Sequence, residues 1–313
     1  MFTLKLVPAK TSIRFVGFRR IAFAASGLLA LASAVLFFAP GLNYGIDFQG
    51  GILIEVKTPG PADLGHMRSV LGDLGLGEVA LQEFGAADDV LIRVERQPGD
   101  ASAQQKAVAL VKEALAQGVG GNFEYRRVEF VGPKVSAELI QTGMIAVLAA
   151  VVLMLIYIWF RFEWQFSVGA VLALVHDVVL TLGMFAITGI EFNLASIAAI
   201  LTIVGYSIND TVVVYDRVRE NLRRYKTLAL EPLLDQSIND TLSRTTMTSV
   251  TTLLALLALF FFGGEVIRGF TAAMIWGVVV GTYSSIFVAA PVLLYLGVGR
   301  ERPGAVARTA PAD

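Results

Sequence analysis

Six windows of this chain, 21–39, 139–160, 166–188, 192–215, 246–262 and 270–296, are apolar over about the length that a membrane-crossing helix needs. The hydrocarbon core of a bilayer is crossed by about 20 mostly apolar helical residues. Within it every backbone N–H and C=O has to be satisfied by the protein, which leaves helices and closed barrels as the spanning forms. Apolar runs this long specify helices. Hydrophobic residues make up 55% of the 313 and charged residues 16%, against about 25% charged in a soluble domain. What charge there is lies between the windows. The expected fold is a polytopic α-helical membrane protein with six transmembrane helices and a periplasmic domain, at 41–137, between the first and second.

Basic residues set the orientation. Lys5, Lys10, Arg14, Arg19 and Arg20 precede the first window, Arg217, Arg219, Arg223, Arg224 and Lys226 follow the fourth, and Arg300, Arg302 and Arg308 follow the sixth. The third and fifth connections hold Glu191 alone and Glu265 with Arg268. Positive charge is retained on the cytoplasmic side. This predicts a cytoplasmic N-terminal segment (1–20), a cytoplasmic loop at 216–244 and a cytoplasmic tail (298–313). Ala32-Ser33-Ala34 matches a signal-peptidase site, but residues 35–39 continue the apolar run. The first window is therefore expected to be an uncleaved anchor.

Residues 41–137 carry their own periodicity. Positions 52–56, 79–84, 90–95 and 123–131 read as strands, 62–74 and 102–116 as helices, and Ala86-Ala87-Asp88-Asp89 as a turn. The order β-α-β-β-α-β is that of a ferredoxin-like α+β domain. No residue cluster in it suggests catalysis, so a binding or mechanical module is expected. Gly50 and Gly51, just after the first window, read as a turn.

Asp210 is the residue that points to function. It stands in an otherwise apolar stretch, Ile203 to Val214. A carboxylate at the centre of a spanning helix costs roughly 2.5–3.5 kcal/mol on insertion scales, and such residues mark ion paths, proton relays or buried partners. Arg244 falls at the corresponding end of the next span. A cation beside a carboxylate favours its charged form, whereas removal from water favours the neutral one. An Asp210–Arg244 pair that forms and separates would thus load and release a proton. The alternative is that Arg244 snorkels to headgroups as an interfacial anchor. Thr245, Thr248, Ser249 and Thr252 share a helical face beyond it, either lining a hydrated path or packing helices. His176-Asp177, mid-span, is a candidate second relay station or an interhelical hydrogen bond. Asn209 and Thr248 complete the auxiliary candidates. Gly277 and Gly281 read as a close-packing motif, and Asp216-Arg217 as the start of a surface helix.

Several chemistries are excluded. The chain has no cysteine and two histidines, His66 and His176, so thiolate sites and histidine metal clusters are not expected. It has no phosphate-binding Gly-x-x-x-x-Gly-Lys-Ser/Thr loop. No enzyme activity, cofactor, metal or nucleic-acid partner is expected, protons being the coupling ion.

Several segments resemble the SecF family, the smaller subunits of the SecD–SecF protein-export complex in the resistance-nodulation-division superfamily. They are Leu4 to Pro8, Gly45-Ile46-Asp47-Phe48-Gln49-Gly50-Gly51, Val131 to Ser136, Gly205 to Val213 with Asp216 to Asn221, Asn239 to Thr245, and Gly281-Thr282-Tyr283-Ser284-Ser285. The resemblance implies that Asp210 carries the proton and that Arg244 is its charge partner. It implies a multi-pass protein of the bacterial inner membrane, paired with a separate SecD beside the SecYEG translocon. There the outer domains draw preprotein outwards with the proton gradient rather than ATP. One charge crossing 100 mV yields about 2.3 kcal/mol, whereas driving a two-state element from 1:99 to 99:1 takes about 5.5 kcal/mol. Either the resting equilibrium is near balance, or more than one proton moves per cycle. The alternatives are a small-molecule or lipid exporter of the same superfamily, which needs a substrate cleft, and a passive translocon scaffold.

Overall fold

The computed structural model describes residue 8, residues 11–39 and residues 41–298. Residues 1–7, 9, 10 and 299–313 of the predicted terminal segments, including Lys5, Lys10, Arg300, Arg302, Arg308 and all of the Leu4–Pro8 motif but Pro8, lie outside the described residues. The spans are α1 (Arg19–Phe38), then, beyond the extramembrane domain, α5 (Pro133–Arg161), α6 (Trp164–Thr188), α7 (Leu194–Arg224), α8 (Leu230–Phe262) and α9 (Arg268–Ser284). Helix α9 runs through a π-turn, Ser285–Ala289, into α10 (Ala290–Leu296), so the sixth span carries a break in its hydrogen-bond ladder. Gly189, at φ 65°, ends α6, and Asn193 with Ser196 forms a capping box that starts α7.

Helices α6, α7 and α9 form the interior of the bundle, and α1, α5 and α8 flank it. Small residues set the spacing. A Cβ on Gly277 would collide with Ile203, and one on Gly281 would press on Ser207, so α9 lies directly on α7. Gly183 gives α1 the same approach to α6 at Ser33. The outward surface is apolar, with Leu153, Trp159, Phe160 and Phe262 all exposed, as a lipid-facing shell requires.

The segment 216–244 is not the expected loop. It forms the ends of α7 and α8 and leaves a connection of only a few residues between Arg224 and Leu230. Leu233, Leu234 and Ile238 recur at helical spacing and bury against Val218. Asn221 Nδ2 donates to Ser237 Oγ at 2.9 Å and Arg217 Nε to Asp240 Oδ2 at 2.8 Å. An amphipathic helix escapes a search for continuous apolarity, so the predicted span 246–262 was too short at its start. The chain before α1 docks on this extension: Asp235 accepts from Val16 N at 2.8 Å, and Glu231 pairs with Arg19 at 3.0 Å.

The extramembrane domain comprises a short helix α2 (Ile46–Gln49), then β1 (Gly51–Lys57), α3 (Leu64–Gly72), β2 (Val79–Phe84), β3 (Ala86–Val94), α4 (Ala101–Ala114) and β4 (Glu124–Val131). Its antiparallel sheet has the order β2-β3-β1-β4, the split ferredoxin-like arrangement. Ile52, Ile54, Val56, Val90 and Ile92 pack under Met67, Leu71, Val111 and Leu115 of the helix layer. Residues 86–89 are strand, not turn. Gly85, at φ 87°, makes the reversal alone, and Asp88 and Asp89 pair across the sheet with Lys57 and Arg126, each at 3.0 Å.

The glycine-bounded turn 45–51 does more than reverse the chain. Gly45 N donates to Phe192 O (2.9 Å), Phe192 N to Asn43 O (2.7 Å), and Asp47 accepts from Leu194 N at the start of α7 (3.0 Å). Arg93 of β3 reaches Asn43 and Glu191, both at 2.8 Å. The sheet is thereby fixed to the α6–α7 connection.

Candidate functional site

Two carboxylates sit inside the bundle where α6, α7 and α9 meet. Asp210, on α7, is 6% exposed. Thr245 Oγ1 of α8 donates to its Oδ1 at 2.7 Å, and Ser285 Oγ, at the head of the π-turn, donates to its Oδ2 at 2.8 Å. Asp177, on α6, is fully buried. Its Oδ1 lies 2.9 Å from His176 Nδ1, and its Oδ2 accepts from Ser207 Oγ (2.5 Å) and Ser284 Oγ (2.7 Å).

The two sites share a frame. Ser207 and Asp210 are three residues apart on α7 and so lie on one face. Ser284 and Ser285 are consecutive, and adjacent helical residues diverge by about 100°. One hydroxyl therefore serves each carboxylate. The polar lattice continues outwards. Ser249 Oγ lies 2.7 Å from Thr282 Oγ1 and accepts from Tyr206 OH at 3.2 Å. Tyr283 OH lies 3.0 Å from Ser26 Oγ of α1, and its ring lies 6.1 Å from that of His176. Hydroxyls donate and accept alike, so this lattice suits groups that change protonation. Among the described residues no set of three His, Asp or Glu side chains converges as metal ligands.

Arg244 lies near enough to act on Asp210 through its charge but is not hydrogen-bonded to it. Arg244 is exposed on α8 and makes no ion pair with Asp210 among the described residues. Thr245, the next residue, faces the carboxylate instead. Asn209 is exposed, and Thr248 Oγ1 donates back into its own helix, to Arg244 O and Thr245 O. His176 and Asp177 are brought to the site. The residues that sequence reasoning did not assign to the carboxylates are Ser207, Ser284, Ser285 and, as a direct donor, Thr245. The available signal was spacing: Ser207 precedes Asp210 by three residues, and Gly277 and Gly281 bring the serine pair close to α7.

A separate cavity of about 390 Å³ lies between the sheet and the outer ends of α7 and α9, lined by Arg127, Glu191, Arg268, Phe260 and Phe270 among others. It includes neither carboxylate.

Residues 111–299 match the family described as protein export membrane protein SecD/SecF, C-terminal, and residues 35–58 match the SecD/SecF GG motif. The protein translocase subunit SecF of Rickettsia bellii is 49% identical over 293 residues, covering 94% of this chain and 96% of its own. That of Rickettsia akari is 48% identical over 295 residues, covering 94% of each. The crystal structure of SecDF from Thermus thermophilus, a translocon-associated membrane protein, superposes with a TM-score of 0.82 at 37% identity over 93% of this chain. A SecDF structure in a super-membrane-facing form gives 0.68 at 38% identity. This chain spans 39% and 40% of those longer chains.

Proposed function

The chain belongs to the SecD/SecF family of protein-export membrane proteins, and on that premise we propose that it converts the proton gradient into late, ATP-independent export of preproteins. In this reading it works as a SecF-type subunit, with a SecD-type partner beside the SecYEG translocon of the inner membrane and both termini in the cytoplasm. Protons enter and leave at Asp210. The ferredoxin-like domain, tied to the α6–α7 connection through Arg93, Asp47 and Phe192, carries the resulting movement to preprotein.

The observation that carries this reading is a carboxylate inside a membrane bundle, held by two neutral hydroxyls and in no ion-pair contact among the described residues. Arg244 retains a role in it. Adjacent positions on α8 are about 100° apart, so a rotation of α8 through part of that angle exchanges the Thr245 hydroxyl for the Arg244 guanidinium. Asp210 then has one setting suited to a neutral carboxyl and another suited to a charged one.

The test compares wild type with Asp210→Asn in preprotein translocation into inverted membrane vesicles, at matched expression and with SecD association monitored. Loss of the gradient-dependent part of export, with association kept, is expected. Wild-type export from this near-isosteric variant would leave only a scaffold role.

A further inference from the structure

We propose that His176 and Asp177 form a second proton-carrying site, coupled to Asp210 through the Ser284–Ser285 pair; this rests on the proton-driven reading above. Three features of the geometry lead there. Asp177 has no exposed surface, yet its carboxylate collects donors from three helices: His176 on α6, Ser207 on α7 and Ser284 on α9. His176 is more than nine-tenths buried, at 8% exposure, and its Nε2 has no hydrogen-bond partner among the described residues. Both serines have a second acceptor in reach: Gly281 O lies 3.2 Å from Ser284 Oγ, and Thr282 O lies 3.0 Å from Ser285 Oγ.

These features describe a path. A proton arriving at His176 Nε2 displaces the hydrogen on Nδ1 to Asp177 Oδ1. The ring ends neutral, with its hydrogen on the opposite nitrogen, and the carboxylate ends as a carboxylic acid. The hydrogen lies on Oδ1, facing Nδ1, and with the charge gone Oδ2 is a weaker acceptor for the serines. Ser284 then turns its hydrogen to Gly281 O. Ser285 has the equivalent choice between Asp210 and Thr282 O. The serines are consecutive and sit where the α9 ladder gives way to the π-turn, so reorientation at one shifts the backbone that positions the other.

Few other titratable groups reach this point. On α7 they are Asp210, next to Ser285, with Tyr206 and Tyr215 hydrogen-bonded elsewhere. On α9 it is Tyr283, against the His176 ring. The remaining helices packed on α6 carry theirs towards their ends: Arg19 and Arg20 on α1, Glu138, Tyr157 and Arg161 on α5, and Tyr295 on α10.

Infrared difference spectra of the full chain in lipid vesicles, titrated with acid, read the carboxyl C=O stretch directly. Wild type should show two buried carboxyl signals. Asp177→Asn should remove one and displace the pH at which the Asp210 signal appears, and Asp210→Asn should remove the other. Ser284→Ala keeps both carboxyls and should move the Asp177 signal along the pH axis; it serves if Asp177→Asn does not fold. His176→Phe should slow the appearance of the Asp177 signal after a pH jump tenfold or more, and unchanged kinetics would take His176 out of the path. A single signal, lost in Asp210→Asn and unaltered by Asp177→Asn and Ser284→Ala, overturns the proposal and leaves the function of Asp210 standing. Wild-type export from Asp210→Asn would overturn that function instead, with the spectra still deciding Asp177.

Discussion

The ferredoxin-like domain and the helix bundle differ in what they expose and in how they hold their buried polar groups. In the domain, Ile52, Ile54, Met67, Leu71 and Val111 are inside, and charges such as Lys57 and Asp88 pair at the rim. In the bundle, Asp177, Asp210, Ser207, Ser284 and Thr245 are inside, while Leu153, Trp159, Phe160 and Phe262 face out. The surroundings decide which arrangement is cheap. Water drives apolar groups inward by about 25 cal/mol per Å², a force that lipid does not supply between helices. The bundle is held instead by close packing, at glycines and between buried side chains such as Phe166, Leu174 and Ile203, and by hydroxyl bonds around the buried carboxylates. The domain also buries two carboxylates, Glu55 and Asp89, but each lies on the sheet beside an arginine, Arg127 and Arg126.

The largest effect expected from this contrast comes from placing one charge on each surface. Leu153 on α5 is 65% exposed and Leu110 on α4 is 45% exposed. Leu153→Arg puts a guanidinium against hydrocarbon and should cost roughly 2.5–3.5 kcal/mol of insertion. Leu110→Arg meets water and should stay within about 0.5 kcal/mol. The fraction of each variant that resists alkaline extraction from membranes reads the difference. Equal fractions would mean that the apolar shell of the bundle does not face lipid.

A second pair of variants makes the same Gly→Ala change in both regions and expects opposite signs. Gly277→Ala on α9 drives a Cβ into Ile203, an overpacking that costs roughly 1–3 kcal/mol. Gly72→Ala, in the last turn of α3, meets nothing within 4 Å and should stabilise by about 0.4–1 kcal/mol, because it restricts the unfolded chain. Thermal unfolding of the purified full chain measures both. A neutral Gly277→Ala would show that α7 and α9 can separate without loss.

Much of this contrast was legible in the sequence, and the failures have physical causes. The six apolar runs and the β-α-β-β-α-β alternation specify their elements because burial in lipid, or on one face of a sheet, forces a pattern along the chain. The helical hairpin at 216–244 was missed because Leu233, Leu234 and Ile238 mark only one stripe of a helix. Residues 86–89 looked like a turn because two aspartates follow two alanines, but Lys57 and Arg126 lie across the sheet to meet them. Asp210 was conspicuous, as any charge in an apolar run is. Its partners were not. Charge complementarity pointed to Arg244, whereas Thr245 is the side chain that faces the carboxylate, and a shift of one residue turns a helix by about 100°. Serines at helix contacts are common, so Ser284 and Ser285 became specific only once α9 was seen lying on α7.

The smallest effect expected lies at the rim of the sheet and follows from the titration of Asp88. Its carboxyl is held below the usual carboxylate range, first by the hydrogen bond from Lys57, with further help from its own backbone N–H and from Arg126. A group whose folded value is depressed contributes stability above its unfolded value, about 3.9 for Asp, and loses it as pH falls through the folded value. The Lys57–Asp88 pair should therefore protect β1 and β3 at neutral pH and begin to lose that effect below about pH 4. Hydrogen exchange of those strands in the full chain, wild type against Lys57→Met, should show a difference that is constant from neutral pH to about pH 5 and closes as Asp88 protonates. Asp88→Asn should abolish that pH dependence. A difference that persists unchanged at low pH would assign the effect of Lys57 to its methylenes packing on the strand, and the rim of this domain would then be held by the same apolar burial as its core.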